Sequence, residues 1–489
     1  MHNKRINPDP KSFRFLFRIS VMLDFTTGGV RSVRLSEPFE KSGYFWLPGK
    51  TENRLPGVLR IAETGQATLE VIGIFGDTVA ALNETSPALG RIVGVIESGD
   101  LVTLERCFYK KGNISLGGIS KSTIYANFVL SGVQYDEGEP ITFSKFNFSV
   151  EGLDEWLMVS GLRVEHNWDD RSVSIHFTPP KEIELQLPDG IGLAFTFDWT
   201  LPGAPIVTEA KITQKAYISL TSESLRSIDD FLAVVFKINN FLCLATDEIV
   251  SLDSATAYSH KITRSMHEVP IKVYYQSIPL SEMKPKVQWH GMLFRHRDIA
   301  TQLEPILNNW LNNYETSEPA FNLYFASKSG AHRYLEGRFL SLAQGIETLH
   351  RRNSQKTLMV ESEFNDLVAA VIKSCPRDKQ ECLKTKIEYA NELPLRQRLR
   401  QMLEPFMELY GDSKQRKHFI GKVIDTRNYL THYDARLSQQ AAGGEELWKL
   451  CMKLEGLFQL HFLRLIGLNG ESINTLVKEN HALRSKLEI

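Results

Sequence analysis

Three side chains within six positions carry the clearest chemistry in this 489-residue chain: Arg427, Asn428 and His432, in the stretch DTRNYLTHYD at 425–434. A guanidinium is permanently charged and presents a planar fork that matches phosphate oxygens, while an imidazole titrates near neutral pH and can act as base or acid. The helix that carries them is predicted over 413–434. At about 100° per residue, Ile420, Val423, Ile424 and Leu430 fall within about 60° of Arg427, which puts the arginine at the centre of an apolar stripe. Burying an unpaired guanidinium costs several kcal/mol, so the position demands a carboxylate partner, an opening to solvent or an anionic ligand. Asp425, Asn428 and His432 gather on a second, polar stripe, with Asn428 and His432 spaced i to i+4. In the structural reading Arg427 pairs inside the chain with an acid such as Glu347 or Glu336, and His432 ends the helix, where positive charge is favourable. In the other reading the arginine has a ligand; six residues alone leave both open.

The elements that must position these groups change character along the chain. From about Val33 to Val287, short alternating runs with turn residues, such as LPGVLRIAETGQATLEVIGIFG at 55–76 and RIVGVIESGDLVTLERCF at 91–108, predict an antiparallel sandwich or a pair of packed sheets. One helix is predicted inside this region, over 222–248. After Lys286 the period becomes 3.6, with helices predicted over 298–316, 331–353, 361–375, 378–411, 413–434 and 444–468 and a short one over 471–487. Pro394 splits or kinks the fourth. The expected organisation is α+β and multidomain: a loosely ordered leader over 1–32, a β-rich domain over 33–290, and an all-α bundle of five to seven helices over 291–489.

Composition excludes several classes. No uninterrupted apolar run reaches the ~18 residues of a membrane span, and Arg14 and Arg18 interrupt the N-terminal segment that most resembles a signal peptide. Five scattered cysteines without a C-x-x-C pair suit reduced thiols in a cytoplasm. Cys375 and Cys382, with Pro376 between them, and His290 with His296 make poor metal sites, and no P-loop occurs, so neither metal nor cofactor is expected. Net charge is −1, yet residues 330–489 hold 25 Lys/Arg against 20 Asp/Glu, so the basic part is the helical part.

Longer stretches resolve what the six residues leave open. GYFWLPG with LPGVLRIAETGQATLEVIG, then VTLERCF, MLFRHRDIATQLEPILNNWLNNYE, FNLYFA, RFLSLAQGIETLHRR and TRNYLTHYD follow one another in the order seen in ApeA-like HEPN proteins, which this chain resembles over most of 40–470. The resemblance implies a β-rich N-terminal domain followed by a HEPN domain that acts as a metal-independent endoribonuclease in anti-phage defence, usually through abortive infection. It implies that Arg427 and His432 are catalytic, that Asn428 is the polar residue after the arginine, and that Glu347 in GIETLHRR is the matching acid.

RNA carries its own nucleophile in the 2′-hydroxyl, so cleavage needs a base for that proton and a cation for the developing phosphorane. His432 and Arg427 supply these, with Asn428 orienting the imidazole or holding a phosphate oxygen and Asp425 alongside. Five residues on a straight helix place Arg427 and His432 about 140° apart, so two protomers pooling these groups across a two-fold axis are expected. Basic clusters flank the site: Arg351 and Arg352; Arg396, Arg398 and Arg400; Lys414, Arg416 and Lys417. These could track RNA phosphates, and Tyr433 could stack on a base. The expected partners are RNA, a second copy of the chain and a phage-derived trigger sensed by the N-terminal domain. The competing expectation is a catalytically silent HEPN module that binds RNA, a nucleotide or a protein.

Overall fold

Alternating strands in the N-terminal half build a closed surface before they build an open one. The computed structural model describes residues 39–63, 65–76, 88–113, 119–203, 208–264, 266–277, 285–354 and 356–488; the leader expected over 1–32 lies outside them. Strands β1 (Phe39–Trp46), β2 (Leu55–Ile61), β3 (Ala67–Ile72), β4 (Ala88–Ile96), β5 (Leu101–Asn113) and β6 (Lys121–Ser131) pair antiparallel in the ring 1-2-3-6-5-4-1. This is a six-stranded barrel, where packed sheets were expected. Its interior holds Phe45, Leu59, Leu69, Ile92, Leu104 and Ile124, all fully buried. Closure needs β1 and β4 to approach closely: a Cβ on Gly94 would run into the Phe45 ring.

Strand β6 links the barrel to a second sheet. One of its edges pairs with β5 throughout; the other pairs with β3 over 121–126 and with a later strand over 128–131. The elements that follow are β7 (Thr142–Val150), α1 (Leu153–Leu157), a hairpin of β8 (Leu162–Asn167) and β9 (Ser172–Phe177), β10 (Ile183–Gln186), β11 (Ile191–Thr200), β12 (Thr213–Ser227), α2 (Ile228–Thr246), β13 (Leu252–Tyr258), the short pair β14 (Thr263–Arg264) and β15 (His267–Glu268), and β16 (Ile271–Tyr275). From β6 the sheet runs β16-β13-β7-β12-β11-β10. The helix expected from residue 222 starts at Ile228, because Arg226 and Ser227 still pair with β7 and because Ser227 and Asp230 form a capping box.

The helical part comprises α3 (His296–Ile299), α4 (Leu303–Lys328), α5 (Leu335–Asn353), α6 (Glu361–Ser374), α7 (Gln380–Ile387), α8 (Leu395–Leu403), α9 (Ser413–His432), α10 (Gly444–Leu465), α11 (Gly470–Glu479) and α12 (His481–Glu488). This is more helices than the five to seven expected. Pro394 ends one segment and caps the next, and the segment expected to stop at residue 316 continues past Pro319 with a local kink at Ser317. Helix α2 is packed both on the sheet, where Phe231 stacks on Phe146 at 5.9 Å, and into the bundle, where Phe241 meets Trp310 at 5.7 Å. Trp310 also contacts Phe321 and Phe462 and donates to the Lys237 carbonyl, so a single apolar core runs from the second sheet through α4 to α10.

A buried charge cluster closes that junction. Asp247 caps α2 in a left-handed conformation (φ 57°), and its carboxylate meets Lys328 at the end of α4 and Lys486 of α12. Both lysines reach Glu455 of α10, at 3.0 and 2.7 Å, and Arg338 of α5 takes the other Glu455 oxygen. Burial alone would raise the Glu455 carboxyl, but Lys328, Lys486 and Arg338 outweigh it and hold the group well below the usual carboxylate range. Glu455→Gln leaves buried lysines short of counter-charge and is expected to cost about 3–5 kcal/mol in urea unfolding. Because the folded-state pKa is depressed, the stabilisation is complete above about pH 4.3 and falls away as pH drops below it. Wild-type stability should therefore decline more steeply below about pH 4.3 than that of Glu455→Gln; parallel curves would remove Glu455 from the acid response.

Candidate active site

Helix α9 is set by its ends and one face. Asp412 and Gln415 form a capping box at its start, with both hydrogen bonds at 2.8 Å. Phe419, Ile420, Val423, Thr426 and Leu430 are buried. Thr426 accepts the Ala442 N–H at 2.9 Å, which ties the inner face of α9 to the segment leading into α10. Counting Thr426 with the buried set moves the centre of the stripe about 50° from Arg427. The arginine therefore stands at the margin of the packed face, not at its centre, and its side chain is 38% exposed.

The guanidinium is held loosely. Its nearest carboxylate is Glu347 on α5, at 3.9 Å, and Nη1 donates to Asn428 Oδ1 at 3.3 Å. Glu347 also faces Arg351 at 3.4 Å, and Arg351 reaches Glu392 at 2.8 Å. Arg398 donates to the same Glu392 at 3.2 Å and to the Leu393 carbonyl at 2.8 Å. Beside it His350 meets Gln401 at 2.8 Å, and burial lowers the His350 pKa. Of the two acids considered for pairing with Arg427, Glu347 is the neighbour; Glu336 lies elsewhere, on the wall of a cleft.

His432 is the last residue of α9 and is exposed. The helix stops because Tyr433 turns into the left-handed region (φ 50°, ψ 33°), its N–H donating to the Tyr429 carbonyl at 2.6 Å. Since the helix is regular from Arg427 to His432, the two point about 140° apart around its axis. Two residues further on, hydrogen bonds from Arg436 hold the Asp434 carboxyl below its ordinary range, with a smaller contribution from His432. Asp425 is half-buried, and its carboxylate makes no hydrogen bond or ion pair among the described residues.

The flanking cations divide into two groups. Arg398, expected at the surface beside Arg396 and Arg400, is buried (3% exposed), because Glu392 and the Leu393 carbonyl draw its guanidinium inward. Arg351 is half engaged with Glu347 and Glu392, and Arg416 donates to the Met407 and Gly411 carbonyls. Arg352, Arg396, Arg400, Lys414 and Lys417 are exposed, without ion pairs among the described residues. No group of three or more His, Cys, Asp or Glu suited to a metal ion gathers among the described residues, and none of the described helices is long and apolar enough to cross a membrane.

The helix expected from residue 331 begins at Leu335, and the freed residues form one wall of a cleft of about 630 Å³. His332, Tyr334, Glu336 and Leu340 line that side; Tyr429, Leu430 and Tyr433 line the other. Tyr429 follows Asn428 and Tyr433 follows His432 in the sequence, so the cleft opens on a neighbouring face of the helix end that carries the arginine and histidine, which do not themselves line it. The only signal in the sequence is the polar-aromatic run AHRYLEG, which a helical period absorbs.

A model of the family described as ApeA N-terminal domain 1 matches residues 40–310, and a model of the family described as Apea-like HEPN matches residues 340–472. No curated protein and no solved structure matches the chain. Because Arg427 is part-exposed and its ion pair is long, Arg427→Ala is expected to change stability by no more than about 1 kcal/mol, measured by thermal or urea unfolding; a larger loss would make the arginine a structural element.

Proposed function

The chain belongs to the ApeA-like HEPN family, and from that premise we propose that it is an anti-phage defence protein of the abortive-infection type whose helical domain is a metal-independent endoribonuclease. The observation that carries the reading is the state of Arg427: a part-exposed guanidinium with one carboxylate at 3.9 Å, on the helix end that also presents Asn428 and an exposed His432. A residue kept for stability would bury its charge against a close partner. This one keeps N–H donors free for phosphate oxygens.

In the proposed reaction His432 takes the proton of a ribose 2′-hydroxyl, and that oxygen attacks the adjacent phosphorus. Arg427 stabilises the charge gathering on the phosphorane oxygens, and Asn428 orients the arginine it already contacts. The bond to the 5′-oxygen breaks, and a protonated imidazole returns a proton to it, leaving a 2′,3′-cyclic phosphate and a 5′-hydroxyl. One histidine cannot at once be base and acid, and it stands about 140° from the arginine around the helix. A homodimer that faces the α9 ends across a two-fold axis supplies the second set. The work is proposed to take place in the cytoplasm, with the β-rich domain sensing a phage-derived trigger and restraining the nuclease until then. Residues Arg352, Arg396, Arg400, Lys414 and Lys417 are the proposed cations along the RNA.

Arg427→Ala and His432→Ala are each expected to reduce RNA cleavage by about 10²–10³-fold or more while the protein stays folded. Cleavage should persist in excess EDTA and leave cyclic-phosphate ends, read by end-specific ligation. If both variants still cleave, the catalytic assignment fails; if neither they nor the parent cleaves any RNA during infection, the silent binding module stands instead.

A further inference from the structure

We propose that the cleft beside α9 is a nucleobase subsite and that it selects guanine; this rests on the ribonuclease reading and names what that site recognises. Its volume of about 630 Å³ lies within the range of small-ligand pockets, ample for one base and its ribose. Three tyrosines supply its aromatic surface. Tyr429 and Tyr433 contact each other with ring centroids 5.6 Å apart at 64°, and Tyr334 stands on the opposite side. Tyr334 and Tyr433 are 77% and 69% exposed, a large aromatic area left without packing. The left-handed backbone of Tyr433 is uncommon for a bulky side chain. It brings the ring onto the cleft directly after His432, so a base stacked there would belong to a nucleotide held close to the end of α9.

The polar lining chooses the base. His332 lies against Ser341, its Nε2 at 2.8 Å from Oγ, and Arg333 is also engaged within the chain. Glu336 is exposed on the cleft, and its carboxylate makes no hydrogen bond or ion pair among the described residues. An ionised carboxylate only accepts, and it accepts two parallel bonds best. The Watson–Crick edge of guanine offers N1–H and the 2-amino group side by side. Adenine and cytosine set one amino group beside an acceptor nitrogen, and uracil flanks one N–H with two carbonyls, so each meets the carboxylate with repulsion.

The test separates recognition from catalysis by using 2′-O-methyl RNA hexamers, which lack the nucleophile and differ only in one guanine or adenine. Measured by fluorescence anisotropy on the full-length protein, the guanine hexamer is expected to bind about tenfold more tightly. Glu336→Gln should abolish that preference, and Tyr334→Ala should weaken both hexamers about tenfold. Both residues are exposed, so the variants should keep the parent's melting temperature. Equal binding of the two hexamers by the parent, or a guanine preference that survives Glu336→Gln, overturns the subsite. RNA cleavage without a guanine at a fixed position beside the cut does the same and leaves the nuclease reading intact. A guanine preference in binding with no cleavage of any RNA supports the subsite and removes the nuclease instead.

Discussion

The arrangement depends on a group of charges that the chain has taken out of water. Asp247, Lys328, Glu455, Lys486 and Arg338 come from α2, α4, α10, α12 and α5, and Glu455 is 2% exposed. Desolvating such groups is costly, and their attraction repays it only when geometry and hydrogen bonding are good. Here Gln459 adds a donor to Asp247 at 2.6 Å, and both lysines bridge two carboxylates. An apolar core tolerates sliding of one helix over another, whereas this cluster leaves a buried charge unpaired if α2 shifts against α4 or α10. It sets the register between the helix that caps the sheet and the bundle that carries the site.

That register passes to the candidate site through α5. Arg338 anchors its first turns to Glu455, and Gly345 lies so close to Phe458 that a Cβ there would overlap the ring. Two residues on, Glu347 faces Arg427, so the distance between that carboxylate and the guanidinium is set by how α5 seats on α10. A displacement at the sheet that moved α2 would thus act on α5 and on the Arg427 environment through packed, charged contacts. This gives the proposed restraint by the β-rich domain a physical route in which no flexible linker is required, since one core spans both parts.

How much of this was legible in the sequence follows from how local each feature is. Helix α9, expected over 413–434 and ending at His432, and its R-N-x-x-x-H residues are legible because periodicity and capping residues lie within one segment. The margin position of Arg427 is not, since it turns on Thr426 being buried by a hydrogen bond to Ala442, a partner 16 residues away whose approach no hydropathy pattern encodes. Barrel closure depends on β5 and β6 pairing along their length while β6 also pairs with β3, which alternation cannot distinguish from two packed sheets. The fold of Arg398 inward is illegible for the same reason: in LRQRLR it reads as one more surface cation until Glu392 and the Leu393 carbonyl are placed beside it. The cleft joins residues 331–340 to 429–433, which meet only in three dimensions.

The ion pairs around Arg427 bear on how such a site can bind without destabilising its own fold. If Glu347 relied on Arg427 alone, a phosphate that drew the guanidinium away would strand a part-buried carboxylate, and the cost would be charged against binding. Glu347 instead keeps Arg351 at 3.4 Å, while Glu392 keeps both Arg351 and Arg398. The long contact at 3.9 Å is therefore the link whose loss leaves every carboxylate of the chain with a partner. Arg427 is the cation in this chain of ion pairs that can exchange a carboxylate for a phosphate at small cost. On the proposed reading, that is why the arginine sits at the edge of the packed face: one residue deeper it would be locked, and one further out it would lose the helix that aims it.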